Sequence, residues 1–331
     1  MLVSVIIPLY NKGQYIQETL NSVIKQSESS WELLVINNGS TDGGDNLVAQ
    51  FSDSRVCCLQ CPKRTGGPGL PRNFGLAAAQ GSWILFLDAD DLIAPDHLSN
   101  LLKETKKNSE AQIVVGAWQE FSEDSPVIRH LKQPAGYPEA TLSFRQSTIA
   151  GAPWACHAAL VKREILQPPY LWVEELDPYL SEDTAFWFRL LTRYHVAYSD
   201  NQGAIYRRVD NARDRHQDVE KWFTGIQAVL QNNLAFLESQ NLPLTAHHCE
   251  ALMRRYSDIY LLARRQNRFD IAAESLQLAQ YWLEHCANLS GLNTFPLKVR
   301  HWLTLKPFLQ FQHLRQRYFR IAQFSLLSST R

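Results

Sequence analysis

Three acidic residues follow a short apolar run in the stretch Ser82-Trp-Ile-Leu-Phe-Leu-Asp-Ala-Asp-Asp91. Such a run predicts a strand buried on both faces, so the acids are expected where the strand leaves the core. Ligands bind at this carboxyl edge in open α/β sheets. Side chains alternate along an extended segment, which would place Asp88 and Asp90 on the same side. Two such carboxylates suit a hard divalent cation that holds a diphosphate. The alternative is a solvated acidic loop ahead of a helix starting near Pro95.

A second acidic pair, Glu182-Asp183, follows Ser181 and precedes apolar residues at positions 186, 187, 190 and 191. This spacing predicts a helix with Ser181 as its N-cap and an apolar side that faces the core. Acidic side chains in a first helical turn complement the helix dipole. Dipole complementarity is therefore the structural alternative to any chemical role of Glu182 and Asp183.

Strands and helices alternate through the first 60 residues and supply the elements that position these acids. Residues 3–8, 31–36 and 55–60 have the composition of strands, whereas residues 15–26 carry apolar side chains at helical spacing. This alternation predicts a parallel, doubly wound α/β sheet. Residues 119–150 are polar and weakly periodic and predict no element. Further predicted elements include a helix ending near Phe51, a short strand before Lys162, strands at 83–88, 111–118, 195–198 and 204–208, and a helix at 95–107.

A glycine-rich loop at residues 63–72 precedes a predicted helix that ends at Gly81. Glycines before a helix can bring backbone N–H groups close to a phosphate. The loop matches neither the P-loop spacing nor Gly-x-Gly-x-x-Gly, so an ordinary flexible connection is the alternative.

The composition changes near residue 218, where valine becomes sparse and Leu, Ala, Gln and Glu recur at helical spacing through Glu284. We therefore predict two domains, residues 1–215 and an all-helical C-terminal region at 216–331. Residues 296–331 contain seven Lys or Arg and no acid, interleaved with aromatic residues. Such a segment is typical of peripheral membrane contact. The alternative is a basic helix face packed on the rest of the protein.

Composition excludes several classes of protein. The 331 residues include 33 basic and 33 acidic side chains, and this zero net charge does not indicate a nucleic-acid partner. The six cysteines show neither a disulfide framework nor complete zinc spacing, which is typical of a reducing, cytoplasmic compartment. No run of about 18 apolar residues predicts a transmembrane helix. The expected location is the cytoplasm, with contact at the inner membrane face if the basic tail binds lipid.

Five motifs occur in an order that resembles the family-2 glycosyltransferases with the GT-A fold. The resemblance covers about residues 1–215 and does not extend over the C-terminal third. It implies transfer of a sugar from a nucleotide sugar with inversion at the anomeric carbon. The motifs are Val3-Ser-Val-Ile-Ile-Pro-Leu-Tyr-Asn11, Asn37-Asn-Gly-Ser-Thr-Asp42, Arg72-Asn-Phe-Gly75, Phe86-Leu-Asp-Ala-Asp-Asp91 and Glu182-Asp183.

The resemblance also implies roles for individual residues and a Mg²⁺ or Mn²⁺ cofactor. Asp183 would be the general base that deprotonates the acceptor hydroxyl, and Asp90 would bind the metal that holds the diphosphate. The acceptor side would include Glu182 and Trp154, although Trp154 could equally belong to the core. His216, or Arg207 with Arg208, could add a metal or diphosphate contact, and a solvated loop histidine is the alternative for His216. The implied donor-binding residues are Pro8, Tyr10, Asn11, Asn37, Arg72, Asn73 and Asp88.

Two departures from the family pattern refine these expectations. Asn37-Asn38 stands where the family usually has two aspartates, and an amide can pair with uracil or thymine, which favours a UDP or dTDP donor. The Gln-x-x-Arg-Trp sequence of processive members is absent, which favours a single transfer to a glycan or lipid-linked acceptor. The alternatives are a nucleotidyltransferase of similar topology and a non-catalytic nucleotide- or glycan-binding module.

Overall fold

The computed structural model describes residues 1–122, 125–179, 181–208 and 218–290. The chain divides into two compact units, Met1–Leu242 and Pro243–Arg331. A helix that follows the predicted boundary at 215/216 thus belongs to the first unit, and the assignment of functional domains stays a prediction. His216 and the basic tail at 296–331 lie outside the described residues.

A seven-stranded, mostly parallel sheet forms the core of the first unit. Its strand order is β10-β6-β9-β4-β1-β2-β3, and only β9 runs antiparallel to its neighbours. The predicted doubly wound sheet is therefore confirmed. The strands are β1 (Val3–Leu9), β2 (Trp31–Asn37), β3 (Val56–Gln60), β4 (Trp83–Phe86), β6 (Ile113–Val115), β9 (Ala159–Lys162) and β10 (Val196–Tyr198).

A second, four-stranded sheet adjoins the acidic stretch, in the order β5-β11-β7-β8. Its strands are β5 (Leu92–Ile93), β7 (Trp118–Ser122), β8 (Ser125–Lys132) and β11 (Ala204–Arg208). Since β5 directly follows Asp91 and pairs with β11, the acids lie between the two sheets. Strand β8 and most of β7 were not predicted, because residues 119–150 show only weak periodicity. The single strand predicted at 111–118 is interrupted at Gly116, where a Cβ would lie 2.6 Å from the Asn201 carbonyl oxygen.

Helices pack on the sheet as their apolar spacing predicts. In the first helix, Ile16, Leu20 and Val23 are fully buried. The helix predicted at 95–107 is also confirmed. In the helix that starts after Ser181, most residues are buried. The helices of the first unit are α1 (Gly13–Ile24), α2 (Gly44–Ala49), α3 (Gly69–Ala78), α4 (His97–Lys107), α5 (Leu142–Ser147), α6 (Glu182–Leu191) and α7 (Val219–Ser239).

The described part of the second unit consists of two packed helices, α8 (Ala246–Arg265) and α9 (Phe269–Ser290). Thr245 accepts a hydrogen bond from the His248 backbone N–H, and the His248 ring interacts with the Thr245 backbone N–H, which completes a capping box. Leu252, Tyr256 and Ile259 are buried at helical spacing. The predicted C-terminal helices are thus present, and within the described residues none is both long and apolar enough to cross a membrane.

Candidate active site

The acidic stretch forms a tight turn at the carboxyl edge of the main sheet. Strand β4 ends at Phe86, and the Asp91 backbone N–H donates to the Asp88 carbonyl oxygen at 3.0 Å. Strand alternation, from which we predicted that Asp88 and Asp90 lie on the same side, does not apply here because both residues follow the end of the strand, so their common side stays a prediction. Their carboxylates pair with different cations, Asp88 with Arg72 of α3 and Asp90 with Lys12, which directly precedes α1.

Asp88 belongs to a cluster centred on the buried Arg72 of α3, which we call the Arg72 cluster and which also contains Glu182 and Trp172. Arg72 Nη2 donates to Asp88 Oδ1 at 2.6 Å, and Nη1 lies 3.4 Å from Glu182 Oε1. The guanidinium stacks 4.0 Å from the centre of the Trp172 ring, and the Arg72 side chain is only 2% exposed. One arginine thus joins two motifs that lie 94 positions apart in the sequence.

The charges of this cluster shift its carboxyl groups in opposite directions. Burial acts to raise the pKa of Asp88, but the charge and hydrogen bond of Arg72 outweigh it and hold this pKa below its usual value. Burial and the neighbouring charge of Asp183 raise the pKa of Glu182 to about 7, against the opposing effect of Arg72. The two carboxyl groups bound by one arginine are therefore expected in different protonation states near neutral pH.

The acidic pair lies in the first turn of α6, as predicted. Ser181 occupies the N-cap position but has a left-handed backbone, with φ of 76°, and its side chain makes no capping hydrogen bond. The predicted N-cap position of Ser181 is therefore confirmed, although no capping bond from its side chain accompanies it. Glu182 and Asp183 are half-buried, and the charge of Asp183 acts on both Glu182 and the buried thiol of Cys156. Asp183 is thus close to the Arg72 cluster, while its role as the base stays a prediction.

Two contacts connect the segment before α6 to α3, and neither was predicted from the sequence. The Asn73 side chain pairs with the backbone of Trp172, receiving its N–H at 3.1 Å and donating to its carbonyl oxygen at 2.9 Å. The Asp177 carboxylate accepts the backbone N–H groups of Gly69 and Leu70 at 2.6 and 3.0 Å. Asn73, predicted to approach the donor, therefore holds the tryptophan on which Arg72 stacks.

Asp177 also explains the glycine-rich loop. Its carboxylate lies at the N-terminus of α3, where it also receives the Thr65 hydroxyl. A Cβ on Gly69 would come within 2.5 Å of Asp177 Oδ1, so only glycine fits there. The anion bound by this helix N-terminus is thus a carboxylate of the chain itself, as the helix dipole favours.

Asp90 pairs with Lys12, which precedes α1. The Lys12 ammonium contacts Asp90 Oδ2, and the two side chains are 27% and 21% exposed. Arg207 of β11 donates from Nε to the Asp90 carbonyl oxygen at 2.8 Å and is 6% exposed. Arg207 therefore supports the turn, and Arg208 is exposed near Glu120, while a metal or diphosphate contact of these two arginines stays a prediction.

The donor set at Asp90 fits a divalent cation bound mainly through a substrate. Asp90 is a hard oxygen ligand, and its Oδ1 has no partner among the residues that the structure describes. Those residues contain no group of three His, Cys, Asp or Glu side chains that could hold a metal ion. Magnesium is commonly bound by one or two carboxylates together with substrate phosphates and water. Asp90 could supply such a carboxylate, and the substrate diphosphate would supply the phosphate oxygens.

Asp91 is the most buried acid of the stretch, at 1% exposure. It accepts the Arg207 backbone N–H at 2.8 Å and lies 3.2 Å from His157 Nδ1. Burial and the charges of Asp90 and Asp88 raise the pKa of Asp91, while burial lowers the pKa of His157 to about 4. Both pKa shifts favour the neutral forms of Asp91 and His157, which form a buried pair that stabilises the turn.

The predicted nucleotide pocket is a corner where β1 and β2 end side by side. Pro8 and Leu9 pair with Ile36 and Asn37. Asn37 is 3% exposed, and its Oδ1 accepts the Ser40 backbone N–H at 2.9 Å, which leaves that oxygen a second lone pair.

Tyr10 and Asn11 continue this corner. The Arg64 guanidinium stacks 4.2 Å from the centre of the Tyr10 ring and donates to its hydroxyl group. Asn11 has a left-handed backbone and accepts the Thr41 backbone N–H at 2.8 Å. These residues are brought together as predicted, although Arg64 was not identified from the sequence. Their donor-binding roles stay predictions.

Trp154 lies apart from this corner in an aromatic cluster. It is 3% exposed, with its ring centre 5.3 Å from that of Trp187 and 6.5 Å from that of Phe144. This packing supports the core alternative, and no exposed face remains for stacking on a sugar.

The sequence of this chain is similar to a family model and to several known glycosyltransferases. A family model described as "Glycosyl transferase family 2" matches residues 4–167. The putative teichuronic acid biosynthesis glycosyltransferase TuaG of Bacillus subtilis (strain 168) is 31% identical over 219 residues, which cover 64% of this chain and 81% of TuaG. The glycosyltransferase GlyA of Streptococcus pneumoniae serotype 4 is 33% identical over 121 residues, but they cover only 17% of GlyA.

Solved structures share the fold at low sequence identity. S. aureus TarS 1-349 in complex with UDP-GlcNAc has a TM-score of 0.55 at 20% identity, covering 83% of this chain and 90% of that one. The mannosyltransferase PcManGT from Pyrobaculum calidifontis, in complex with GDP-Man and Mn²⁺, has a TM-score of 0.52 at 19% identity, covering 99% and 88%. The predicted GT-A architecture is therefore confirmed.

Proposed function

The chain belongs to glycosyltransferase family 2, and from this membership we propose that it transfers a sugar from a nucleotide-diphosphate sugar to a hydroxyl group of a glycan or lipid-linked acceptor. The proposed transfer inverts the anomeric carbon, depends on a divalent cation and occurs once per encounter. UDP or dTDP is the favoured donor nucleotide. The observation that carries the proposal is Arg72, which joins Asp88 on the donor side to Glu182 beside the candidate base Asp183.

The arrangement supports a direct displacement. An Asp183 carboxylate oxygen accepts the proton of the acceptor hydroxyl as that oxygen attacks the anomeric carbon, and the bond to the nucleoside diphosphate breaks. A hydroxyl group is a poor nucleophile at neutral pH, so such a base contributes about 10²- to 10⁴-fold. A divalent cation bound at Asp90 would neutralise the charge that develops on the departing diphosphate. The dipole of α6 favours the ionised form of Asp183.

Arg72 and Arg207 have supporting roles in this proposal. Arg72 keeps the pKa of Asp88 low, so that Asp88 is available as an acceptor for a ribose hydroxyl. Arg207 fixes the backbone of the Asp90 turn from the opposite side. Asn37 can use its second Oδ1 lone pair to accept the N3–H of uracil or thymine, which supports the proposed base preference.

The test is donor hydrolysis by the full chain across UDP-, dTDP- and GDP-sugars with Mn²⁺, followed by transfer to candidate acceptors. We expect turnover of one UDP- or dTDP-sugar, its loss in Asp90→Ala, and a decrease of about 10²-fold or more in Asp183→Asn. Asp96→Asn is a matched control, because Asp96 is exposed before α4. If hydrolysis needs the acceptor, calorimetry with UDP and Mn²⁺ still reports binding. Absence of both turnover and UDP binding would overturn the proposal.

We further propose that the basic, aromatic segment at 296–331 mediates peripheral contact with an anionic membrane, where a lipid-linked acceptor would be found. Its seven cations and zero acids support this proposal. Sedimentation with vesicles containing phosphatidylglycerol tests it, and a chain ending at residue 295 should lose most of the binding. Equal binding by the shortened and full chains would exclude the segment as the anchor.

A further inference from the structure

The acidic stretch already has a protein partner for each of its three carboxyl groups, but these partners differ in kind. Asp88 pairs with Arg72, whose side chain is 2% exposed, and Asp91 pairs with His157, which is 1% exposed. Asp90 pairs with Lys12, whose side chain is 27% exposed. Only the last of these three partners is accessible to a dissolved ion without unpacking of the core.

Lys12 is also the partner that can leave at the least cost. Its ammonium is a point charge on a flexible four-carbon chain, in contrast to the planar guanidinium of Arg72, which is fixed by stacking. The Lys12 Nζ lies 5.5 Å from the centre of the Tyr15 ring, which offers the ammonium only a weak cation–π contact. Among the described residues, Asp90 is the only carboxylate that Lys12 contacts in an ion pair.

The Asp90 backbone keeps its position independently of Lys12. Arg207 holds the Asp90 carbonyl oxygen and, through its own backbone N–H, the Asp91 carboxylate. The turn is therefore fixed from the side of β11, and the departure of Lys12 would leave an oriented carboxylate with both oxygens available to a hard cation.

We infer that Lys12 is a built-in counter-ion that competes with the divalent cation for Asp90. The inference rests on the proposed function, because it assigns the metal to the same carboxylate. In the protein without metal, the ammonium neutralises Asp90 and holds the turn in place. Binding of Mg²⁺ or Mn²⁺ exchanges one cation for another, and the released ammonium stays near the negatively charged diphosphate. Lys12 thereby lowers the affinity for metal alone.

Direct measurement of metal binding tests this inference without an activity assay. The full chain is titrated with Mn²⁺, with and without UDP, and free Mn²⁺ is followed by its electron paramagnetic resonance signal. Lys12→Met nearly keeps the length of the side chain but removes its charge, and we expect it to lower the Kd for Mn²⁺ by about 1.5-fold to fivefold, the range of a partly exposed ion pair. Lys12→Arg should stay near the wild-type value.

The matched control is Lys107→Met, which removes another exposed lysine paired with a carboxylate, Glu104, at 3.0 Å. Its Mn²⁺ affinity should equal that of the wild type. If Lys12→Met does not fold, Lys12→Gln replaces it. Unchanged or weaker Mn²⁺ binding in the neutral variant would overturn the inference while the wild type still binds Mn²⁺ with UDP. Failure of every variant, including the wild type, to bind UDP and Mn²⁺ would instead overturn the proposed function.

Discussion

Asp88 and Asp90 are two positions apart, yet the regions around them differ in almost every physical respect. The Arg72 cluster binds Asp88 through an arginine that is 2% exposed, stacked on a tryptophan and shared with a second carboxyl group. The Lys12–Asp90 pair consists of two side chains that are both more than a fifth exposed. The carboxylates of one acidic motif therefore differ in role, because the buried partner of Asp88 makes it part of the scaffold, whereas the accessible partner of Asp90 leaves it open to exchange.

Arg72 is the most buried charged side chain of these two regions. We therefore expect the largest decrease in the free energy of unfolding from Arg72→Met. The variant leaves Asp88 and Glu182 without their shared cation and removes the stack on Trp172. Breaking a buried ion pair costs about 3–5 kcal/mol. We expect a loss of about 3 kcal/mol in the free energy of unfolding, near the lower limit, because Asp88 is partly exposed and Glu182 can bind a proton.

Arg55 provides a matched control for that variant. It also pairs with an aspartate, Asp53, at 2.7 Å and stacks on a tryptophan, Trp31, at 3.5 Å, but its side chain is 36% exposed. Arg55→Met should cost about 1 kcal/mol or less. Urea unfolding followed by tryptophan fluorescence measures both variants. Equal losses in the free energy of unfolding would show that burial does not distinguish the two arginines. Burial of the partner would then not explain why Asp88 belongs to the scaffold and Asp90 does not.

The protonation of Glu182 gives a sharper view of the Arg72 cluster. Because burial and Asp183 raise the pKa of Glu182 from 4.5 to about 7, the folded protein holds a proton that the unfolded chain releases between these pH values. This contribution to stability is complete below about pH 4.5 and is lost as the pH rises through about 7. Glu182→Gln removes the titration, so its stability relative to the wild type should increase by about 1 kcal/mol or more between pH 5 and pH 8.

The measurement is the free energy of unfolding of both proteins at several pH values across that range. The informative quantity is the difference between the two curves, since all other titrating groups are common to both. Parallel curves would mean that Glu182 is not protonated in the folded protein, and that Arg72 neutralises both carboxyl groups at once.

The local features of this site could be predicted from the sequence, whereas its long-range pairings could not. The apolar run at 83–86 and the spacing of Ile16, Leu20 and Val23 are short-range patterns, and the structure confirms the strand and the helix that they predict. Lys12 and Asp90 are 78 residues apart, and Asn73 and Trp172 are 99 residues apart. No periodicity relates such pairs, because their contact depends on which strands are neighbours in the sheet.

At the ends of elements the sequence predicts less, because regular geometry does not extend past them. Strand alternation does not apply at Asp88 and Asp90, since β4 ends at Phe86. Ser181 is the N-cap of α6 as predicted, but its backbone is left-handed and its side chain makes no capping hydrogen bond. For Trp154 the sequence left two alternatives, and its packing against Trp187 and Phe144, which follow it and precede it along the chain, supports the core alternative.

The smallest effect is expected at the Lys12–Asp90 pair, where Lys12→Met should hardly change the free energy of unfolding of the metal-free protein. A partly exposed ion pair contributes about 0.2–1 kcal/mol, so the free energy of unfolding should change by no more than about 1 kcal/mol. The same urea unfolding experiment measures it beside Arg72→Met. A loss as large as that of Arg72→Met would show that Lys12 is part of the scaffold, and an ammonium so firmly held could not exchange with Mn²⁺. A small loss together with tighter Mn²⁺ binding is the result that only an exchangeable counter-ion produces, because a scaffold residue would not improve the site by its removal.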